Sequence, residues 1–305
     1  MLQTPRRRTG FTLIELLVVI SLISLIMALS AGAFFRVKAS QSIKATEATL
    51  VKLDTALDSR RKAILSQVQE DAKSGHPGYK AALTLAGTGG DDVAKAIWTY
   101  AKMKNELPMS VAEAVTPVTV GSYNLPAKGY FMSATIGFGG ISGTGTQDES
   151  AACFYLALTN NAADGVLMDT NGLTQQAGDV LVGGKAFRCV KDDWGTPIAF
   201  VRQCYTPELN APPYIRAGQP QDPFFPLPGR NLGSVYAGMS GYWGTLINNV
   251  PGFAAMPGSY PGPRNFIGAL ISAGANRSFD GNPFGTSSSD DIVSFRLRRE
   301  GQRGD

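Results

Sequence analysis

The sequence predicts an α+β protein in which one long N-terminal helix packs on a small antiparallel sheet, with large loop-rich insertions. Three observations predict it. Residues 10–35, GFTLIELLVVISLISLIMALSAGAFF, are an apolar run interrupted by a single acid, Glu15. The helical period then continues, since Ile43, Leu50, Leu57 and Ile64 recur every seven residues with Val37, Leu53 and Val68 filling the same face. Further on, short strand-like runs alternate with Asp, Gly and Pro clusters, the pattern of paired strands.

The basic leader MLQTPRRRT comes first. As a helix, residues 11–35 extend roughly 37 Å at about 1.5 Å per residue, enough to cross a hydrocarbon core of about 30 Å. Arg6, Arg7 and Arg8 place the leader on the cytoplasmic side and the rest of the chain across the membrane. A carboxylate inside such a run costs on the order of 2.5–3.5 kcal/mol near the centre of a span and less near its end, so Glu15 points to a function. Two plainer readings use the same residues: a secretory signal peptide cut after Ala31-Gly32-Ala33, leaving Phe34 first, and an unprocessed membrane anchor.

Gly10-Phe11-Thr12-Leu13-Ile14-Glu15-Leu16 resembles the processing and methylation motif of type IV pilins and of the pseudopilins of type II secretion. The resemblance implies cleavage between Gly10 and Phe11 by prepilin peptidase, N-methylation of Phe11, and a subunit that leaves the inner membrane for a filament. It also implies that Glu15 neutralises the terminal amine of a neighbouring subunit during assembly. Physically, Glu15 lies four positions from that amine, at the helix end whose dipole favours anions.

The first three segments are then a leader at 1–10, a membrane or filament-core helix at 11–35 and an amphipathic continuation at 36–73. Lys44, Glu47, Lys52, Asp54 and Arg61 are read as its polar flanks, and Ser74-Gly75-His76-Pro77 as its stop. The heptads also admit a coiled-coil dimer. Residues 74–305 form the head. The whole chain has 17% charged residues, 35 glycines and 18 prolines, which reads as a loop-rich exported domain. The 28 basic residues less the three leader arginines leave 25 against 24 acids, a balance that gives no reason to expect nucleic acid.

Residues 79–150 read as an insertion, with helices expected over Asp91–Asn105, Ser110–Ala114 and Asp148–Leu158 and a mobile glycine-rich loop over Gly121–Thr146. Strands are expected at Val180–Val182, Ala186–Val190 and Ile198–Arg202, the last two joined as a hairpin by Asp192-Asp193-Trp194-Gly195-Thr196-Pro197. That turn is similar to the acid-Pro-Trp-Gly-Asn-Pro turn of the major pseudopilin of type II secretion, with Trp194 expected over the base of the sheet. Cys189 and Cys204 flank the hairpin, so in an oxidising compartment they are the expected disulfide; three buried thiols, with Cys153, are the alternative. Eleven prolines between Thr206 and Pro263 exclude continuous helix there, while eight aromatic residues supply area for a packed lobe.

Near the end, Ile267–Ser272 and Val293–Leu297 are strand candidates around a loop running from Ser272-Ala273-Gly274-Ala275-Asn276 to Asp290-Asp291-Ile292. The loop resembles the calcium loop of the major pseudopilins, which implies Ca2+ at Asp290, Asp291, Asn276, Asp280 and Ser289. Asn276 stands where the family has an aspartate. His76, the only histidine, is read as a solvated turn residue, which removes His-based triads and most zinc sites. No catalytic constellation is legible, and the chain is read as a structural subunit and not an enzyme. The expected partners are copies of itself, other pseudopilins, prepilin peptidase, the inner-membrane assembly platform and, before assembly, membrane lipid. The head is expected in the periplasm. A minor pilin of a type IV pilus and a tethered binding protein or hydrolase are the other functional readings.

Overall fold

A computed structural model describes residues 13–143, 145–160, 176–204, 267–279 and 290–297. The chain forms two compact units, residues 1–44 and residues 45–305. Helix α1, Leu13–Ser74, runs through 62 residues, about 93 Å at the usual rise.

Within the first unit, α1 exposes every side chain from Leu13 to Gln41. Val37 and Ile43, expected on the buried stripe, are 56% and 42% exposed. Within the second unit the stripe is real: Leu50, Leu53, Leu57, Ile64 and Val68 are all buried. Asp54 and Arg61, expected as polar flanks, are buried as well, together with Arg60. Their burial is possible because distant segments supply partners, as described below.

Helix α1 ends at Ser74, one residue past the expected limit of 73. Gly75 takes a left-handed φ of 66°, and the His76 amide donates back to the Asp71 carbonyl at 3.0 Å. Pro77 then opens α2, Pro77–Ala86, because its fixed φ suits the first helical position and its missing N–H costs nothing there. A short 3-10 turn at Gly87–Gly89 leads to α3, Gly90–Glu106, which packs along α2. Helix α4, Val111–Val115, follows, then the hairpin of β1, Val118–Val120, and β2, Tyr123–Leu125. Helix α5, Gly129–Met132, and α6, Gln147–Thr159, complete this part.

The expected mobile loop over Gly121–Thr146 is therefore built structure. Phe131 and Phe138 are fully buried and stack 6.2 Å apart. Its glycines serve close packing: a Cβ on Gly137 would stand 2.1 Å from the Tyr130 carbonyl oxygen. Composition alone read those residues as slack because it cannot distinguish freedom from tight contact.

Strands β3, Ala177–Val182, and β4, Lys185–Val190, form an antiparallel pair. A second sheet has the order β5-β6-β7, with β5 at Ala199–Cys204, β6 at Ile267–Ser272 and β7 at Ile292–Val293. Both pairings in it are antiparallel, with Ala199 opposite Ile271 and Ser272 opposite Ile292. The turn at 192–197 does return the chain, through the Lys191–Pro197 bridge and an Ile198 amide donating to the Val190 carbonyl at 2.9 Å. Its two arms then diverge into different sheets instead of continuing as one hairpin. The last expected strand is also shorter, since Ser294–Leu297 coils into one helical turn, α7.

Helix α6 packs on β3, β4 and β5, with Phe154 stacked on Phe200 at 4.7 Å. Helix α1 lies on β6, where a Cβ on Gly268 would stand 3.0 Å from Leu57. The head core is thus α1 and α6 against small antiparallel sheets. The expected Pro-rich lobe at 206–263 lies outside the described residues.

Candidate functional site

The first candidate is the apolar start of α1. Between Leu13 and Phe35 the only ionisable side chain is Glu15, and it sits in the first described turn. The best 18-residue window has a mean hydropathy of 2.6 with none of it buried, and Leu13, Ile14 and Met27 are 83%, 70% and 67% exposed. Length and composition suffice for a membrane span. Two of its hydroxyls are satisfied internally: Ser21 donates to the Val18 carbonyl and Ser24 to the Ile20 carbonyl, each at 2.8 Å. In hydrocarbon such internal pairing removes the cost of a polar group that water cannot reach. Gly10 and Phe11, the expected processing pair, lie outside the described residues.

The second candidate is the loop after β6. Asp290 accepts the Asn276 amide at 2.9 Å, and Asn276 Oδ1 accepts the Ser278 amide at 2.7 Å. Asp290 is exposed whereas Asp291 is buried. A Cβ on Gly274 would stand 2.3 Å from the Asp290 carbonyl oxygen, so glycine is required where the two ends of the loop meet. Asn276, Asp290 and Asp291 are thus brought to one loop closure, while Asp280 and Ser289 lie outside the described residues. Among the described residues no three His, Cys, Asp or Glu side chains gather as a metal-binding group.

Next to this closure, Asp192 ties the 192–197 turn to β6. Its Oδ1 accepts the amides of Trp194 at 3.1 Å and Thr196 at 2.8 Å, and its Oδ2 accepts the Ser272 hydroxyl at 2.7 Å. Burial pushes its carboxyl up, against the downward pull of those hydrogen bonds. Trp194, expected over the sheet base, is half-buried.

Cys189 is a buried free thiol on β4, and burial pushes it up to about 11. The expected bridge to Cys204 is therefore not formed in this structure; the arms carrying the two residues belong to different sheets. Cys153 on α6 is likewise free and fully buried.

Sequence reasoning missed the buried ionic contacts that hold the head together. Arg202 on β5 clamps Glu113 with two guanidinium nitrogens at 2.9 and 3.0 Å and also donates to the Leu107 carbonyl at 3.0 Å. Burial pushes the Glu113 carboxyl up, but Arg202 and Lys104, with the Met109 amide, together hold it below the ordinary value. Arg60 on α1 donates to Glu106 at 2.6 Å, and Lys128 joins the same carboxylate. A local signal existed for two of these acids. Ser110-x-x-Glu113 and Thr146-x-x-Glu149 are capping boxes, and each hydroxyl accepts the amide of its glutamate at 3.3 Å. Glu149 reaches back to the Gly145 amide at 2.9 Å and across to the Val111 amide at 3.0 Å, so one carboxylate serves the starts of α6 and α4.

Residues 5–31 match the family model described as the prokaryotic N-terminal methylation motif. No curated protein and no solved structure matches the chain. The motif, carried on an apolar N-terminal helix that leads into an α+β head, supports a type IV pilin-like protein that prepilin peptidase processes and that assembles with pilin-type subunits.

Proposed function

We propose that this chain is a pseudopilin, a structural subunit of a type II secretion filament, and not an enzyme. The observation that carries the proposal is the solvent-exposed apolar helix with Glu15 in its first described turn, lying within the matched methylation motif. In this reading prepilin peptidase cuts between Gly10 and Phe11, Phe11 is methylated, and the helix waits in the inner membrane with the head in the periplasm. An assembly platform then moves it into a filament of like subunits. Glu15 offsets the new terminal amine of a neighbour, which lets a charged terminus enter an apolar core. What favours secretion over a surface pilus is the similarity of the 192–197 turn and the 272–292 loop to those of the major pseudopilin.

The same proposal includes calcium. Asp290, Asp291 and Asn276 would supply oxygens at the loop closure, with Asp280 and Ser289 from the segment between, the donor type that hard cations take. A bound cation would neutralise acids that close the loop and so hold β6 to β7.

Mass spectrometry of the mature protein tests the processing step: the expected terminus is N-methylated Phe11, and an unmethylated start at Phe34 ends the reading. Deletion in the native host separates the systems, since loss of exported proteins with surface pili intact supports secretion and the reverse supports a pilus. Calcium should slow proteolysis of the head relative to chelator, and equal rates would remove the metal from the proposal.

A further inference from the structure

We propose that His76 is a pH-sensitive cap that secures the start of α2 when neutral and releases it when protonated. His76 Nδ1 accepts the Gly78 amide at 3.1 Å. Pro77 has no N–H to offer, so this bond holds the first amide that α2 presents. An imidazole accepts through Nδ1 only when it is neutral with its proton on Nε2; in the imidazolium both nitrogens are donors, and no rotation of the ring restores an acceptor. Protonation therefore turns this attraction into a clash of two N–H groups.

The surroundings make the loss matter. His76 is half-buried, and it forms a three-ring cluster with Trp98 of α3 and Tyr123 of β2, with centroids 5.5, 5.6 and 5.8 Å apart. Gly78 is buried against the same indole, where a Cβ would stand 2.2 Å from Trp98. The bonded amide thus belongs to a residue packed directly on the Trp98 indole of α3.

The charged groups around the ring do not replace the lost bond. From α1, the Asp71 carboxylate accepts the Trp98 indole N–H at 2.7 Å and pairs with Lys102 at 3.1 Å. From α2, Lys80 lies over the turn, its Nζ 3.5 Å from where a Cβ on Gly75 would be. From α3, Lys102 stands 5.5 Å from the Trp98 ring centre. β2 presents Tyr123, a neutral phenol at these pH values. The aromatic faces can hold an imidazolium, but face contact leaves the Gly78 amide without its acceptor. The positive end of the α2 dipole adds repulsion. Protonation of the ring thus loosens the α1–α2 corner where the insertion begins.

Hydrogen exchange of the full chain in detergent micelles, across pH 7.5 to 5.0 and corrected for intrinsic rates, tests this. Protection over residues 77–86 should fall roughly tenfold on acidification, the scale of a lost helix cap, while residues 147–159 keep theirs. His76→Asn, which caps without titrating, should hold its protection at pH 5.0. Equal protection of residues 77–86 at both pH values, or the same fall in His76→Asn, would overturn the proposal. The wild type supplies an independent check, because its single imidazole gives one NMR titration: the midpoint must coincide with that of the protection loss, and a mismatch would also overturn it.

Discussion

Along the first part of α1 every side chain from Leu13 to Gln41 is exposed although most are apolar, whereas in the second part Arg60 and Arg61 are buried although both are charged. One continuous helix thus carries two inverted solvation patterns. In the second part the inversion is resolved inside the chain, by Glu106 for Arg60 and by Asp58 one turn back for Arg61 at 3.2 Å. The first part shows no burial in its membrane-length window, and in our proposal what it resolves against is supplied from outside: lipid first and neighbouring helices afterwards. The contrast teaches that exposure and burial mark where a partner is built in and where one is awaited.

The sharpest way to break that contrast is to remove a built-in partner. Glu113→Ala leaves Arg202 buried without its carboxylate, and the head should lose about 3–5 kcal/mol in denaturant melts. The same pair sets a pH dependence. Because the folded-state value of Glu113 is lowered, its stabilisation is complete above the ordinary glutamate range near about 4.3 and disappears as pH falls through the folded value. Stability measured against pH should therefore fall less steeply on acidification in Glu113→Gln than in the wild type; superimposable slopes would remove Glu113 from acid unfolding.

The awaited partner is tested at Glu15. Glu15→Ala should insert into membranes as the wild type does, yet lose filament yield by about tenfold or more, in line with one charge-assisted contact of roughly 1.5–3 kcal/mol. Wild-type filament yield would count against the assembly role. The smallest effect is expected at Asp71→Asn, which removes the ion pair with Lys102 at 3.1 Å while an amide oxygen can still accept the Trp98 indole N–H, so the cost should be about 1 kcal/mol or less by thermal melting. A loss as large as that of Glu113→Ala would show that the helix end depends on this pair more than its partial exposure implies.

Much of this was legible in the residues. The apolar run with Glu15, the stripe from Leu50 to Val68, and helices α3, α4 and α6 all follow periods and caps that act within a few residues of one another. Helix α2 was hidden because Gly75-His76-Pro77 reads as a stop, while the same proline and histidine also start the next helix. The buried ion pairs were hidden for another reason. Arg60 meets Glu106 across 46 residues and Arg202 meets Glu113 across 89, so neither burial nor partner leaves a local pattern. At the functional end, motif chemistry exposed Glu15, whereas the loop at 276–291 was read by similarity, and its closure at Gly274 is visible only once β6 and β7 are paired.

Cys153 lies wholly buried on α6 beneath this architecture, and burial together with the neighbouring Glu113 and Glu149 pushes its thiol well above the ordinary range. A thiol so placed reacts with an alkylating reagent only when the surrounding structure opens. Its labelling rate is consequently a clock for opening of the head, readable as one mass shift on a single peptide, and it can be run on the chain in a membrane or in a filament alike.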